Sequence, residues 1–436
     1  MGDPILVTSL LFGGMLLFLA LGVPIAIALP GISIAMIAGF WSPMALTMVP
    51  MRAFATTSSF EYLAIPLFVF MASMLQKARI AEDMYDAMER FFGSIRGGLA
   101  IGTVLICTIF ACMAGISGAA TVSMGMLAIP AMLARGYGKD MALGTIAAGG
   151  SLGILIPPSV TMIVYALVSG TSVGKLYAAG LLPGLLLAAL FCAYLLIRGW
   201  LQPSISGGGS LRRYTWSEKL LGLRGMVFPL LIVVAVLGSM LTGIASVSES
   251  AAVGAVGSIV AALCLRRLRW VDVKAACHET LMLTCMIFWI IIGAAALSTF
   301  YTGMGAGRMI ETFVLGLDVN RWAVLIGMQL ILLLMGMVLD TVGIIMITVP
   351  IFVPIITKLG FDPIWFGILF IINMEIGFLS PPFGYNLFYL RGVTPPSVTM
   401  PDIYKSVLPF IALMLFAMGL MMFFPDIILM LPRALF

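Results

Sequence analysis

Ser117, Ser159 and Thr161 in one half of the chain, and Asp340, Thr341, Tyr385 and Asn386 in the other, are polar residues set among glycines and prolines in otherwise apolar sequence. In the first half, Gly115-Ile116-Ser117-Gly118 precedes Pro130, then Arg135-Gly136-Tyr137, then Gly153-Ile154-Leu155-Ile156-Pro157-Pro158. In the second, Leu339-Asp340-Thr341 precedes Pro354, then Leu359-Gly360-Phe361, then Gly377-Phe378-Leu379-Ser380-Pro381-Pro382. Pro130 to Pro157 and Pro354 to Pro381 are both 27 residues, and a single offset of 224 superimposes the two stretches, including Tyr165 on Tyr389. Hydroxyl, carboxylate and carbonyl oxygens beside broken helices are the donors that sodium takes. Helix N-termini exposed at the same breaks carry partial positive charge and suit a carboxylate. The chemistry implied is reversible binding of a small cation and a small anion.

Those residues must be positioned within a membrane. Hydrophobic residues make up 62% of the chain and charged residues 9%, so apolar runs of spanning length recur from end to end. Mean hydropathy is +1.17. The run from Ile5 to Leu21 has Asp3 before it and no cationic leader, so it is expected to stay as a helix and not be cleaved. Six cysteines form no CxxC pair and lie mostly in apolar runs, which makes them small packing residues with no redox or metal chemistry. A net charge of +5 without a long basic block excludes nucleic acid as a partner.

Apolar runs near 5–22, 24–40, 62–76, 178–197, 226–244, 247–264, 281–300 and 404–424 are expected to span simply. The run from Gly97 to Ala134 is interrupted at Gly115–Gly118 with basic residues at both ends, the pattern of a re-entrant hairpin with its tip near Ser117. The next run, Met141 to Val173, carries Gly149-Gly150-Ser151-Leu152-Gly153 and Pro157-Pro158 at its middle and reads as one broken crossing helix. Tracing this topology puts 17 of the 23 Lys and Arg residues on one face, including Lys77, Arg135, Lys139, Arg198, Arg267 and Lys405. The other face keeps Arg52, Lys175, Arg308, Arg321, Lys358 and Arg433. By the positive-inside rule the first face is cytoplasmic and both termini are periplasmic. Because the span at 62–76 runs inward and that at 281–300 runs outward, the repeats have inverted topology. The fold expected is an all-α polytopic membrane protein with a re-entrant helical hairpin and a broken transmembrane helix in each repeat.

Backbone groups freed at a helix break cost several kcal/mol each if they face lipid, so breaks occur where they line a polar cavity or hold an ion. Glycine and proline can also merely kink ordinary spans, an explanation that weakens when four breaks stand in register. Asp340 lies deep in an apolar run, where an ionised side chain costs roughly 2.5 to 3.5 kcal/mol, so a cation or a proton is expected beside it. Glu375 is also intramembrane and serves either function or helix bracing. His278, the only histidine, falls in the stretch Trp270 to Glu279 that reads as interfacial. Tyr385 and Asn386 follow the second Pro-Pro and can face substrate, with Ser159 and Thr161 at the matching place in the first repeat. These hydroxyls can equally bond back to their own helix.

The segment from Gln76 to Arg96 alternates charged residues with Ile80, Met84, Tyr85, Met88 and Phe91, the pattern of an amphipathic helix on the membrane surface linking a fixed framework to a moving part. Gln202 to Arg224, with Gly207-Gly208-Gly209, reads as the linker between the halves. The domain organisation expected is scaffold helices at 1–61, a first repeat at 62–200 with its hairpin about 97–135 and broken helix about 140–173, a linker with scaffold helices and interfacial arm at 201–280, and a second repeat at 281–436 with its hairpin about 322–358 and broken helix about 362–391. No GxxxxGK[ST] phosphate loop occurs, so transport must draw on an ion gradient and the chain is not expected to be an enzyme.

The same residues carry a family resemblance. Gly115-Ile116-Ser117-Gly118, Ile129-Pro130-Ala131-Met132, Arg135-Gly136-Tyr137, the Gly153–Pro158 block and Gly377-Phe378-Leu379-Ser380-Pro381-Pro382-Phe383-Gly384-Tyr385-Asn386 resemble the large membrane subunit of tripartite ATP-independent periplasmic (TRAP) transporters, over essentially the whole chain. The resemblance implies an elevator-type secondary transporter of the bacterial inner membrane, driven by sodium and importing an organic acid, such as a C4-dicarboxylate, from a periplasmic solute-binding protein. It implies a separate small four-helix membrane subunit as partner. Carried over residue by residue, the family's sodium sites fall on Ser117, Gly153, Ile156 and Pro158, and on Asp340, Thr341, Gly377 and Pro382. The stretch Ala119-Ala120-Thr121-Val122-Ser123-Met124 after Gly118 departs from the longer Ser/Ala-rich run of many members and bears on the first site's ligands. A stand-alone sodium- or proton-coupled carboxylate carrier without a binding protein is the alternative expectation.

Overall fold

The computed structural model describes residues 4–41, 43–93, 95, 97–115, 117–207, 214–305, 312, 316 and 319–436. Arg96, Ile116, Gly208, Gly209, Arg212, Arg213 and Arg308, on which parts of the hairpin, linker and charge readings rest, lie outside the described residues. Among the described residues the regular structure is helical, apart from one isolated bridge between Tyr137 and Ser206. Seven of these helices are long and apolar enough to cross a membrane, or up to eight if one bent pair forms a single span.

A framework is built from Pro4–Ala20, Ile25–Phe40, Ala64–Lys77, Arg224–Leu241, Val247–Cys264 and Trp270–Gly303. Lipid offers no hydrophobic drive for these helices to associate, so close approach depends on small residues. A Cβ at Gly293 would stand 2.6 Å from Pro30 Cδ, and one at Gly254 would stand 2.4 Å from Met71 Sδ. Ser33 Oγ spans the first contact, lying 2.7 Å from the Leu29 carbonyl and 3.1 Å from that of Gly293.

The first repeat has hairpin arms Gly98–Ala114 and Ser117–Ala134, then Lys139–Ser151, a break, and Val160–Ser169. The second has arms Arg321–Gly336 and Thr341–Lys358, then Pro363–Leu379, a break, and Tyr385–Val393. Gly115 ends the first arm with φ +62°, a left-handed conformation in which glycine avoids the Cβ clash. At each break a Pro-Pro pair removes two amide donors, so the ladder cannot continue. Both pairs are cis. The helix restarts on a Ser159 cap in the first repeat, whose side chain accepts from Met162 N, and on Gly384 at φ +32° in the second.

Two features differ from the sequence reading. The interfacial stretch at 270–280 and the span at 281–300 form one helix of 34 residues, Trp270–Gly303, so the boundary drawn at 280 falls inside a continuous element. At about 1.5 Å per residue this helix is about 51 Å long, well beyond a hydrocarbon core of roughly 30 Å. The surplus is its polar N-terminal part. The amphipathic helix Ile80–Phe92 buries Ile80, Met84, Tyr85 and Met88 within the protein, with Met88 against Gly102 of the first hairpin. Its two ends have different anchors. Arg267 donates to both oxygens of Asp83 at 2.7 and 3.0 Å and to the Ala78 carbonyl at 3.2 Å, while Glu89 pairs with Arg135 at the end of the hairpin. Short helices at Met48–Thr57 and Asp426–Leu435 were not foreseen.

Candidate functional site

Ser117, Thr161, Asp340, Thr341 and Tyr385 line one cavity of about 140 Å³. Its walls combine both hairpin tips, through Gly115, Ser117 and Gly118 and through Asp340, Thr341 and Val342, with residues around both breaks, through Ile154, Val160 and Thr161 and through Phe378, Tyr385 and Tyr389. Framework helix Trp270–Gly303 closes it with Leu283, Met286, Ile287 and Ile290, which stand at one helical face by their i, i+3, i+4, i+7 spacing. Sequence reasoning missed these four, because an apolar stripe of this period marks any packed or lipid-facing span.

The other expected site residues surround the cavity without lining it. Asn386 is fully buried: its Oδ1 accepts from Ser117 Oγ at 2.7 Å, and its Nδ2 donates to the Ala147 carbonyl at 3.4 Å. One side chain thus ties the second broken helix to the first hairpin tip and to the first broken helix. Ser159 is buried too, donating to the Ile154 carbonyl at 2.6 Å and capping Val160–Ser169. Its own carbonyl accepts from Tyr177 Oη at 3.0 Å. Gly153 lies in the turn Leu152–Ile154, and Ile156 packs its side chain against Gly184. The Pro158 carbonyl stands beside Gly115, where a Cβ would come within 2.8 Å, and the Gly115 carbonyl accepts from Val160 N at 3.3 Å. Gly377 meets the backbone of Gly336, and the Pro382 carbonyl accepts from Tyr404 Oη at 2.7 Å.

The repeat-related tyrosines have diverged. Tyr165 Oη donates to the Pro363 carbonyl at 2.9 Å, joining the two broken helices, whereas Tyr389 lies across Gly118 at the first hairpin tip. A Cβ at Gly118 would sit 2.8 Å from the Tyr389 ring.

Chemically the cavity is a set of oxygens with one acid. Asp340 Oδ2 accepts from Val342 N at 3.0 Å and so caps Thr341–Lys358, and the residue lines the cavity at that helix end. Thr341 Oγ1 is buried and has no hydrogen-bond partner among the described residues, which is unusual for a buried hydroxyl. Among the described residues no group of three or more His, Cys, Asp or Glu could hold a metal ion. Hydroxyl, carboxylate and carbonyl oxygens are donors of the kind that hard cations take. Glu375 lies within Pro363–Leu379, fully buried, and neither carboxylate oxygen has a partner among the described residues.

Comparison with known proteins places this geometry. Residues 12–427 match the family described as tripartite ATP-independent periplasmic transporter, DctM component. The chain belongs to that family. It is 35% identical to the C4-dicarboxylate TRAP transporter large permease protein DctM of Pseudomonas aeruginosa over 92% of this chain and 93% of that one. It is 32% identical to the isethionate TRAP transporter permease protein DctMQ of Oleidesulfovibrio alaskensis over 98% of this chain and 66% of that one, and 28% identical to the ectoine large permease protein TeaC of Halomonas elongata over 97% and 98%. In fold it is similar to the YdaH transporter of Alcanivorax borkumensis, with a TM-score of 0.67 at 13% identity over 94% of this chain and 98% of that one. This TRAP large permease is therefore an all-α integral membrane protein of the inverted-repeat kind and a transport subunit, not an enzyme.

Proposed function

We propose that the chain imports a small organic acid, presented by a periplasmic solute-binding protein, across the bacterial inner membrane in symport with sodium. A separate small four-helix membrane subunit completes the complex, and both termini lie on the periplasmic side. The observation that carries this reading is the cavity at which the two hairpin tips and the residues around the two helix breaks meet one framework helix.

Asp340, when ionised, gives that cavity a negative charge, and a carboxylate substrate adds another. Two like charges about 4 Å apart repel by roughly 4 kcal/mol at an effective dielectric near 20. Sodium would be held at the tip and break of each repeat, by oxygens of Ser117, Gly153, Ile156 and Pro158 and of Asp340, Thr341, Gly377 and Pro382. When bound it supplies the charge compensation that lets substrate enter. Ser117, Thr161, Thr341 and Tyr385 present hydroxyls to the substrate, Ser159 and Asn386 support from behind, and the ends of Thr341–Lys358 and Tyr385–Val393 offer amide donors. Relatives named for C4-dicarboxylate, isethionate and ectoine show that this family serves several substrates, so the chemical class assigned is a small organic acid.

Hairpins and broken helices are proposed to travel together past the framework as an elevator. Supporting this, the Ser117–Asn386, Tyr165–Pro363 and Asn386–Ala147 bonds hold the two repeats to each other. A ligand that binds only the folded protein raises its thermal midpoint. Sodium is therefore expected to stabilise the purified protein against heating where equimolar choline does not. Equal midpoints in the two salts would remove sodium from the site.

A further inference from the structure

A second and larger cavity, about 680 Å³, stands further along the same framework helix. Ile287 and Ile290 of Trp270–Gly303 face the tip cavity, while Ile291, Ala295, Ser298 and Thr302 face the larger one. The second hairpin repeats the order: Asp340 to Val342 line the tip cavity, Met346 and Pro350 the larger one. The two spaces are thus stacked, about 18 Å from Ile290 to Thr302 at about 1.5 Å per residue. The larger lies toward the chain face that the charge count assigns to the periplasm.

Arg52, on Met48–Thr57, is the charged residue in that larger cavity, and among the described residues no carboxylate lines it and Arg52 makes no ion pair. Glu61 lies nearby in sequence, outside the lining, and takes the Ser59 hydroxyl. Ser298 and Thr302, one helical turn apart on Trp270–Gly303, line the same cavity. A guanidinium without a neutralising partner at the wall of an aqueous cleft concentrates anions there, and it pairs a carboxylate through two parallel N–H donors.

The geometry points to an anion-receiving subsite formed by Arg52, Ser298 and Thr302, which takes the carboxylate of the incoming substrate before it reaches the hairpin tips. The inference rests on the proposed carboxylate transport and names a separate place for its first step. Arg52 here is a binding residue of the entry path, with Asp340 and Ser117 acting beyond it.

The test uses the complete system in proteoliposomes: permease, small subunit and cognate binding protein loaded with radiolabelled succinate. Arg52→Gln is expected to lower initial uptake at limiting loaded binding protein about ten-fold, within the range that charge focusing gives to association rates, and to flatten the dependence of uptake on added choline chloride. Maximal uptake at saturating loaded binding protein should fall with it, since substrate passes to the subsite within the docked complex, and Arg52→Lys should restore most of the loss. Ala55→Asp, which keeps Arg52 and adds a carboxylate to the same wall, is expected to give the same loss, so a poorly folded R52Q protein leaves the idea open to refutation. Unchanged uptake and salt response in R52Q or A55D would overturn the subsite. Affinity of the binding protein for the R52Q permease, measured on an immobilised complex, should match the parent. A fall in step with uptake would assign Arg52 to protein docking and overturn it equally. Absence of succinate uptake and of any other organic-acid uptake by the parent would instead defeat the transport reading on which it rests.

Discussion

Ser117 and Asn386 form a buried hydroxyl–amide bond across 269 residues of sequence. Removing one partner strands the other, and a buried unsatisfied polar group costs about 1–3 kcal/mol. Ser117→Ala is expected to lower the thermal midpoint and uptake, and a double-mutant cycle with Asn386→Leu should show coupling of at least about 0.5 kcal/mol. Additive effects would mean that the bond does not join tip to break. Asp340 combines two roles that substitution can separate. Asparagine caps a helix about as well as aspartate, so Asp340→Asn should fold normally and lose sodium activation of uptake, whereas Asp340→Ala should lose both activation and about 1 kcal/mol of stability. Sodium activation that survives in Asp340→Asn would take the carboxylate out of the ion site. The candidate residues were legible because Ser117, Thr161, Asp340, Thr341 and Tyr385 sit one or a few residues from Gly and Pro signals that are local in sequence. The partner of Ser117 was not, since nothing in a linear pattern pairs positions from different repeats. Tyr165 and Tyr389 occupy equivalent repeat positions yet bond to different elements, which the shared offset of 224 conceals.

Elements of the repeats seat against each other through glycines that leave no room for a methyl group. A Cβ at Gly377 would stand 2.8 Å from the Gly336 backbone, and backbone cannot rotate aside. Gly377→Ala is therefore expected to destabilise by about 1–3 kcal/mol and to reduce uptake by displacing the second broken helix from its hairpin. Gly327, in the hairpin arm Arg321–Gly336, meets nothing within 4 Å. Gly327→Ala should be neutral or stabilising by up to about 1 kcal/mol, and a pair of midpoints that fails to separate these two variants would contradict the close seating. The hairpins and broken helices were readable from the sequence because two prolines in succession end a helix whatever surrounds them. The continuity of Trp270–Gly303 was not, because its polar first turns resemble a surface arm and only tertiary packing joins them to the span. The amphipathic helix Ile80–Phe92 was seen as amphipathic, but its apolar face meets protein, a choice that periodicity leaves open between lipid and hairpin. Its Asp83–Arg267 pair is partly exposed, so Arg267→Ala should cost about 1 kcal/mol or less.

At the scale of the whole molecule, the repeats supply two broken-helix halves to one cavity and the framework supplies its remaining wall. The second half contributes the acid, Asp340, while the first contributes the hydroxyl of Ser117, so duplication has produced two unlike contributions to a shared site. The family and its membrane setting follow from the whole-chain match, and the ion that drives transport is the central proposal. Its most direct test is uptake of labelled substrate into proteoliposomes holding the permease with its small subunit and loaded binding protein, under an inward sodium gradient and again with sodium equal on both sides. The expected result is accumulation above the external concentration with the gradient and equilibration without it. Accumulation that is the same in both conditions would contradict sodium coupling and the assignment of Asp340 and the two helix breaks as its site.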